Sequence, residues 1–454
     1  MKQTIPLLAA LLLAPLLGLA AAEPAKPNIV LIFIDDLGYA DIGPFGNSKV
    51  RTPHLDKLAT EGMKFTSFYA TPVCSMSRAC LMTGCYNARV SIPGVLFPKD
   101  TIGLHPNEVT LAEIVKQKGY ATCCIGKWHL GWQPEFLPTR QGFDHYFGLP
   151  YSNDMGAGNR GRGLPPLPLI KGDKVIETEP DQSQLTRRYT EDAVGFIREH
   201  KAAPFFVYLP HTMVHHPLAS SAAFSGKSQQ GDLGDAIEEV DWSVGQILAT
   251  LQELKLDDNT LVIFTSDNGP ASGRAAPPYR GSKGSNFEGG VREPCIMRWP
   301  GKIPAGTTCN QIAGNIDILP TFAKLIGVEP VKDRVLDGRD ITTLMFNANA
   351  GPVRDTHLYI GGDKAAAIRQ GDWKLFLKGD GADKKTKKAA GTKTKPPKGG
   401  PVPSLYNLAT DPGETQNVAA ANPEIVARLK KELLARDAEI QANKRPAGQA
   451  EGTK

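Results

Sequence analysis

Short apolar runs alternate with amphipathic stretches along most of this chain, and that alternation restricts the fold more than any other feature. NIVLIFI (Asn28–Ile34) is almost wholly apolar, as a strand buried on both faces must be. In TLAEIVKQKG, Thr110 and Glu113 take capping-box spacing and Gly119 supplies the stop of a helix. YATCCI (Tyr120–Ile125) then reads as a strand, TEDAVGFIREH as a helix and PFFVYL as a strand. The long amphipathic run DLGDAIEEVDWSVGQILATLQEL precedes another strand, TLVIFT. Strands alternating with helices predict an α/β fold, a large and mostly parallel mixed sheet sandwiched by helices.

The texture changes near Asn347. HLYIGG, AAAIRQGDWKLFLK and PSLYNLATDPGETQNVA read as short strands with turns, and NPEIVARLKKELLARDAEIQA as a closing helix. A small α+β subdomain with an antiparallel sheet is expected over 347–442, after a large domain over 23–346. Within it, residues 379–401 are rich in Lys, Gly and Pro and form an expected flexible loop. The tail 443–454 is expected to be disordered.

The N-terminus carries Lys2, an apolar run and the small residues Ala20, Ala21 and Ala22. It reads as a secretory signal peptide over 1–22, which predicts export to the periplasm or beyond the cell. Pro6 and Pro15 interrupt the run, and no other stretch is suited to span a bilayer. The net charge of +5 comes without a basic helix interleaved with aromatics, which argues against nucleic acid as a partner. Seven cysteines (Cys74, Cys80, Cys85, Cys123, Cys124, Cys295 and Cys309) leave one unpaired or chemically altered in an exported chain. A chain of 454 residues needs no staples, so buried free thiols are the default for most of them.

Ligands of parallel α/β sheets bind beyond the carboxyl ends of the strands. Four predicted strands end in unusual polar residues: Asp35 and Asp36; Lys127 and His129; His211, His215 and His216; Asp267 and Asn268. Paired aspartates alone are usually a helix cap, but the SDNG ending beside them makes a metal site the better reading. Carboxylates brought so close repel unless a cation neutralises them. An all-oxygen set suits Ca²⁺ or Mg²⁺, and neither HExxH nor a Cys/His cluster is present to favour zinc. Arg78, Lys127, Lys283 and one or two histidines would then make an anion site for phosphate or sulfate.

The motifs that carry these residues resemble the sulfatase family, its arylsulfatase A-like and N-acetylgalactosamine-6-sulfatase-like branch of the alkaline phosphatase superfamily. PNIVLIFIDDLGYADIG resembles the opening strand and metal pair, CSMSRACLMTG the signature that directs a cysteine to become formylglycine, and GYATCCIGKWHLG the second signature. YFGLPYSND, FVYLPHTMVHHPL, LVIFTSDNGP and GSKGSNFEGGVREPCIMRWPG follow in family order.

The resemblance implies that Asp35, Asp36, Asp267 and Asn268 bind Ca²⁺, with Mg²⁺ the lesser choice, together with a formylglycine made from Cys74. Arg78 would support that residue, Lys127 and Lys283 bind the sulfate oxygens, and Ser152 contact the substrate. His129 would orient or deprotonate the formylglycine hydrate, and His215 rather than His211 protonate the leaving alcohol. One hydroxyl of the hydrate would attack sulfur and the other later expel sulfate. A formylglycine-generating or anaerobic maturation enzyme is the implied partner.

One position departs from the pattern: Met76 stands where the family has proline or alanine, so modification is expected either to be slow or to need a maturation enzyme tolerant of this variant. Two other readings follow from that departure and from the anion site. One is a phosphoester hydrolase of the same superfamily; the other is a catalytically dead carbohydrate-binding homologue in which Cys74 stays a thiol. The expected substrate is a sulfated sugar or polysaccharide, with Trp132, Arg160, Arg162 and Trp373 as candidate sugar contacts.

Overall fold

The strand Asn28–Ile34 lies near the middle of an eleven-stranded sheet, parallel to Phe205–Pro210 on one side and Thr260–Ser266 on the other. This computed structural model describes residues 26–158, 163–329, 332–378 and 402–451. Side chains of a strand alternate between its two faces. Here Ile29, Leu31 and Phe33 enter one core while Val30, Ile32 and Ile34 enter the other, which is why the run is apolar without interruption. Leu185–Glu199 and Gly231–Glu253 are helices that cover one face; Leu111–Lys116 and Ile318–Leu325 cover the opposite face. The capping box at Thr110 and Glu113 forms as expected.

Ala121–Ile125 pairs parallel to Phe205–Pro210, and His145–Gly148 parallel to Ala121–Ile125. Antiparallel pairs lie toward both flanks, Pro168–Lys171 with Lys174–Thr178 on one and Arg292–Arg298 with Met63–Tyr69 on the other, where Thr307–Cys309 adds a parallel edge strand. The parallel register sets Ile34 beside Ser266 and Phe33 beside Pro210. The residues that follow these strands therefore emerge along one edge of the sheet.

A second sheet runs Thr356–Gly361, Lys364–Gln370, Trp373–Phe376 and Ser404–Asn407 as an antiparallel meander. The helix Pro423–Ala442 buries Leu429, Leu433 and Ile440 in a core with Leu358, Ile360, Ile368 and Leu375. Met76 and Cys80 belong to that core, whereas Ala79, Leu81 and Met82 of the same helix belong to the main one. The helix Cys74–Thr83 is therefore shared between the two units.

The expectation of disorder from 443 onward is corrected for residues 443–451. Arg445 donates its backbone N–H to Arg89 O at 2.7 Å and its Nε to the buried Glu108 carboxylate at 2.7 Å. Gly448–Gln449 pairs antiparallel with Ile102–Gly103. The partners lie over 300 residues away in sequence, so local composition carried no sign of them. Residues 1–22 and 379–401, expected as leader and mobile loop, lie outside the described residues. Among the described residues no helix is long and apolar enough to cross a membrane. All seven cysteines are buried and free.

Candidate active site

Cys74 is the first residue of its helix. Val73 before it is extended (φ −146°, ψ 154°), and Gly84 closes the helix in the left-handed region (φ 67°) with its N–H on Cys80 O. The Cys74 thiol lies within 4.8 Å of carboxylate oxygens of Asp35 and Asp267. Asp35, Asp36 and His215 make a second set within the same span. Neighbouring strand residues ordinarily face opposite ways. Asp36 escapes that rule because its backbone is left-handed (φ 60°), turning the chain out of the strand as it ends.

Cations enclose the carboxylates. Arg78 Nη2 donates to Asp267 Oδ2 at 2.8 Å and lies 4.0 Å from Asp35 Oδ2, while its Nη1 donates to Lys127 O at 2.6 Å. Lys127 Nζ makes a short contact to Asp35 Oδ2 and donates to Ser152 Oγ at 3.2 Å. Lys283 Nζ donates to Asp36 Oδ1 at 2.6 Å. Asn268 Nδ2 donates to the same Asp36 oxygen at 2.8 Å.

Burial and neighbouring charge set the protonation states. Burial opposes the charge on Asp35, but Lys127, His215, Lys283 and Arg78 outweigh it and hold this carboxyl well below the usual range. Asp267 goes the other way: burial and the Asp35 charge push it up to about 7 against Arg78 and Lys127. Two carboxylates this close do not both ionise freely without more positive charge. Burial also pushes the Cys74 thiol up, with Lys127 and Lys283 opposing. A protonated thiol is a weak nucleophile.

The histidines divide by position. His129 Nε2 donates to Leu96 O at 2.9 Å, which leaves the lone pair on a buried Nδ1 that has no partner. Burial, with Lys127 and Arg78, keeps that ring neutral. His215 Nδ1 lies 2.9 Å from Asn153 Oδ1 and 2.5 Å from His216 O. Both atoms are acceptors, since Asn153 Nδ2 donates elsewhere, to Gln182 Oε1 at 2.8 Å. The His215 proton therefore sits on Nδ1, and Nε2 faces Asp36 Oδ2 at 3.8 Å as the proton-exchanging atom. Burial lowers this group too. His211 is bonded to Ser243 Oγ at 3.0 Å in the core, and burial takes it down to about 3.

A hard divalent cation fits this set. Asp35 Oδ1 and Asn268 Oδ1 are buried with no hydrogen-bond partner, beside Asp36, Asp267 and residue 74. Oxygen donors of that kind suit Ca²⁺ or Mg²⁺ better than zinc. All eleven residues expected from the sequence at the site are buried or nearly so, and Asp35, Asp36, Cys74, Arg78, Lys127, Ser152, His215, Asp267, Asn268 and Lys283 join one contact network. His129 adjoins it through the field of Lys127, Arg78 and Asp35.

The sequence reading missed Asn153, which fixes the His215 tautomer; its position next to Ser152 in PYSND was the available sign. It also missed Leu96, whose carbonyl fixes His129. Of the candidate sugar contacts, Trp132 is exposed near His129, while Trp373 packs against the core of the C-terminal sheet. Arg160 and Arg162 lie outside the described residues.

Residues 27–328 match the sulfatase family model and residues 352–451 the model for the C-terminal region of aryl-sulfatase. Human (Homo sapiens) arylsulfatase A is 38% identical over 92% of this chain and 89% of its own length. N-acetylgalactosamine-6-sulfatase of Canis lupus familiaris is 36% identical over 91% of this chain and 85% of its own. Among solved structures, Ps i-CgsB in complex with k-i-k-neocarrahexaose superposes with a TM-score of 0.77 at 28% identity, covering 94% of this chain and 95% of that one. Buried oxygens that could hold a cation, ringed by Arg78, Lys127 and Lys283, lie on the mixed sheet that these matches span almost end to end, and the matches make the chain a member of the sulfatase family, an arylsulfatase-like hydrolase of sulfate esters.

Proposed function

We propose that this chain is exported and hydrolyses sulfate esters of carbohydrates, through a formylglycine made from Cys74 beside a bound Ca²⁺. The observation that carries the reading is the Cys74 thiol lying against Asp35 and Asp267 while held protonated by burial. As a thiol it is a poor nucleophile in that place; as a hydrated aldehyde it offers one hydroxyl for attack and a second for release of sulfate. Asp35, Asp36, Asp267 and Asn268 would hold the cation, which lowers the pKa of the attacking hydroxyl and balances the charge of the sulfate.

The chain's own groups take the remaining work. Lys127 and Lys283 bind the sulfate oxygens, and Ser152 steadies Lys127. The bare Nδ1 of neutral His129 takes a proton from residue 74. Once the bound sulfate's negative charge draws a second proton onto Nε2, His215 as the imidazolium delivers that proton to the departing oxygen, with its ring aimed by Asn153 through Nδ1. Arg78, fixed by Asp267 and Lys127 O, holds the negative charge that builds at residue 74.

Two observations support a carbohydrate. The relatives include an N-acetylgalactosamine-6-sulfatase and a protein crystallised with a carrahexaose. A cleft of about 580 Å³ also lies beside the residues next to Cys74 and Lys283, with Asn286, Lys378 and Met76 in its lining. That volume suits a sugar ring.

The test is a mass spectrum of the tryptic peptide Phe65–Arg78 from the exported protein. Formylglycine makes it lighter by one sulfur and two hydrogens and heavier by one oxygen. The same preparation should cleave sulfate monoesters faster than matched phosphate monoesters. An unmodified peptide would point to the dead carbohydrate-binding homologue, and faster phosphate hydrolysis to a phosphoester hydrolase.

A further inference from the structure

The loop that carries Lys283 is tied at both ends to one residue of the C-terminal unit. Gly289 N donates to Arg280 O at 2.8 Å and closes the loop 280–289 on itself. At its far end Glu288 N donates to Glu414 Oε2 at 2.7 Å. At its near end Arg280 Nη1 donates to Glu414 O at 2.9 Å, and the guanidinium lies 4.0 Å from the Phe287 ring centroid. Glu414 itself is fully buried, with a left-handed backbone (φ 52°) that a glutamate rarely adopts.

A buried ion network anchors this clasp. Lys374 Nζ, from the strand Trp373–Phe376, lies 2.9 Å from Glu414 Oε1 and 2.8 Å from Glu288 Oε1. Tyr359, Tyr69 and Arg292 donate to the remaining positions on Glu288 at 2.8, 2.6 and 3.2 Å. Burial opposes the Glu288 charge, yet Lys374, Arg292 and Arg369 outweigh it and hold its carboxyl far below the usual range. So much buried charge and a strained backbone are costly for a turn that merely joins a strand to a helix.

We infer that Glu414 is a positioning residue for catalysis, a clasp through which the C-terminal unit holds Lys283 against Asp36 in the sulfate-binding pose; this rests on the reading of Lys283 as a sulfate ligand. The loop has other ties, since Lys283 N donates to Pro270 O at 2.9 Å and Gly284 N to Pro72 O at 2.8 Å. Those bonds fix the loop's middle but not the ends that set its tilt.

The test uses Glu414→Asn, because asparagine tolerates the left-handed backbone and is too short to reach the Glu288 amide. The readouts are KM for 4-nitrophenyl sulfate and Ki for inorganic sulfate, with Lys283→Ala as the second arm of a double-mutant cycle. The expected result is KM and Ki raised about tenfold by Glu414→Asn in the wild-type background and unchanged in the Lys283→Ala background. Amide exchange at Lys283 and Gly284 should also quicken by more than the accompanying fall in global stability, measured on the slowest core amides, accounts for. Exposed Arg280→Ala, which does not threaten folding, should move both constants the same way by about twofold.

A fall in melting temperature or active fraction with KM and Ki unchanged would make Glu414 purely structural and overturn the inference, as would equal effects in both backgrounds. If Glu414→Asn fails to fold, unchanged constants in Arg280→Ala overturn it instead. A wild-type protein that binds no sulfate would sink the functional reading; the exchange rates at Lys283 and Gly284 then decide the clasp by themselves.

Discussion

Two buried charge clusters in this molecule use nearly the same residue types and are finished differently. The cluster at the sheet edge contains Asp35, Asp36 and Asp267 with Arg78, Lys127 and Lys283. The cluster under the C-terminal sheet contains Glu288 and Glu414 with Lys374, Arg292 and Arg369. In the second, both oxygens of Glu288 are taken by protein donors, and Glu414 Oε1, which accepts no aligned hydrogen bond, is still covered by Lys374 Nζ at 2.9 Å. In the first, Asp35 Oδ1 and Asn268 Oδ1 are buried and bare. A cluster whose central carboxylate is saturated holds structure together, whereas one that keeps buried acceptors in reserve is built for a ligand.

The sharpest way to break this comparison is at Cys74. Cys74→Ala should lower kcat for sulfate esters by about 10⁴-fold or more, because no other group in the cluster supplies the nucleophile. Its melting temperature should stay close to wild type, since among the described residues the thiol makes no hydrogen bond that alanine would lose. Single-turnover kinetics alongside thermal unfolding would check both halves. A variant that unfolds would place Cys74 among the structural residues.

Lys374→Met should do the opposite. It leaves Glu288 and Glu414 facing each other without their shared cation, so stability should fall by about 3–5 kcal/mol in urea unfolding. Its calcium requirement should not move. A shifted calcium requirement would join the two clusters into one and undo the distinction.

Calcium removal should separate the clusters by ligand. Chelation should abolish turnover and lower stability; restoring calcium to about a hundred times its Kd should return about 2.7 kcal/mol. Asp267→Asn should erase that gain, and Glu414→Asn should leave it intact. Equal loss in both variants would mean that calcium acts on the fold as a whole.

The two clusters also differ in how far the sequence revealed them. Asp35, Lys127, His215 and Asp267 each follow a recognisable strand, and parallel pairing must bring such endings to one edge. The order of the strands was not needed to see that. Glu288, Lys374 and Glu414 come from the start of a short helix, a strand and a turn that share no period or spacing, so only the folded chain brings them together. The docking of Arg445 on Glu108 escaped notice for the same reason. Asn153 was hidden differently, because its side chain is ordinary in a loop and its value lies in the tautomer it imposes on His215.

Met76 touches both units, and the smallest of the expected effects is also the most divided. It is the third residue of its helix, and the first helical bond comes one residue later, from Ser77 N to Val73 O. The amide of Met76 thus has no intrahelical partner, so proline or alanine there breaks no helical hydrogen bond. What methionine adds is a side chain only 2% exposed, packed with Leu358, Ile360 and Ile368 of the C-terminal unit. It also lines the cleft beside the site, so truncation opens a space that solvent can enter rather than a sealed void. Met76→Ala should therefore cost about 2 kcal/mol, the low end for such a change. The same substitution restores the family pattern around Cys74 and should raise the fraction of the lighter Phe65–Arg78 peptide. Urea unfolding and peptide mass spectrometry on one preparation read the two effects together. An unchanged modified fraction would show that the maturation enzyme tolerates methionine, and that the residue is kept for its packing alone.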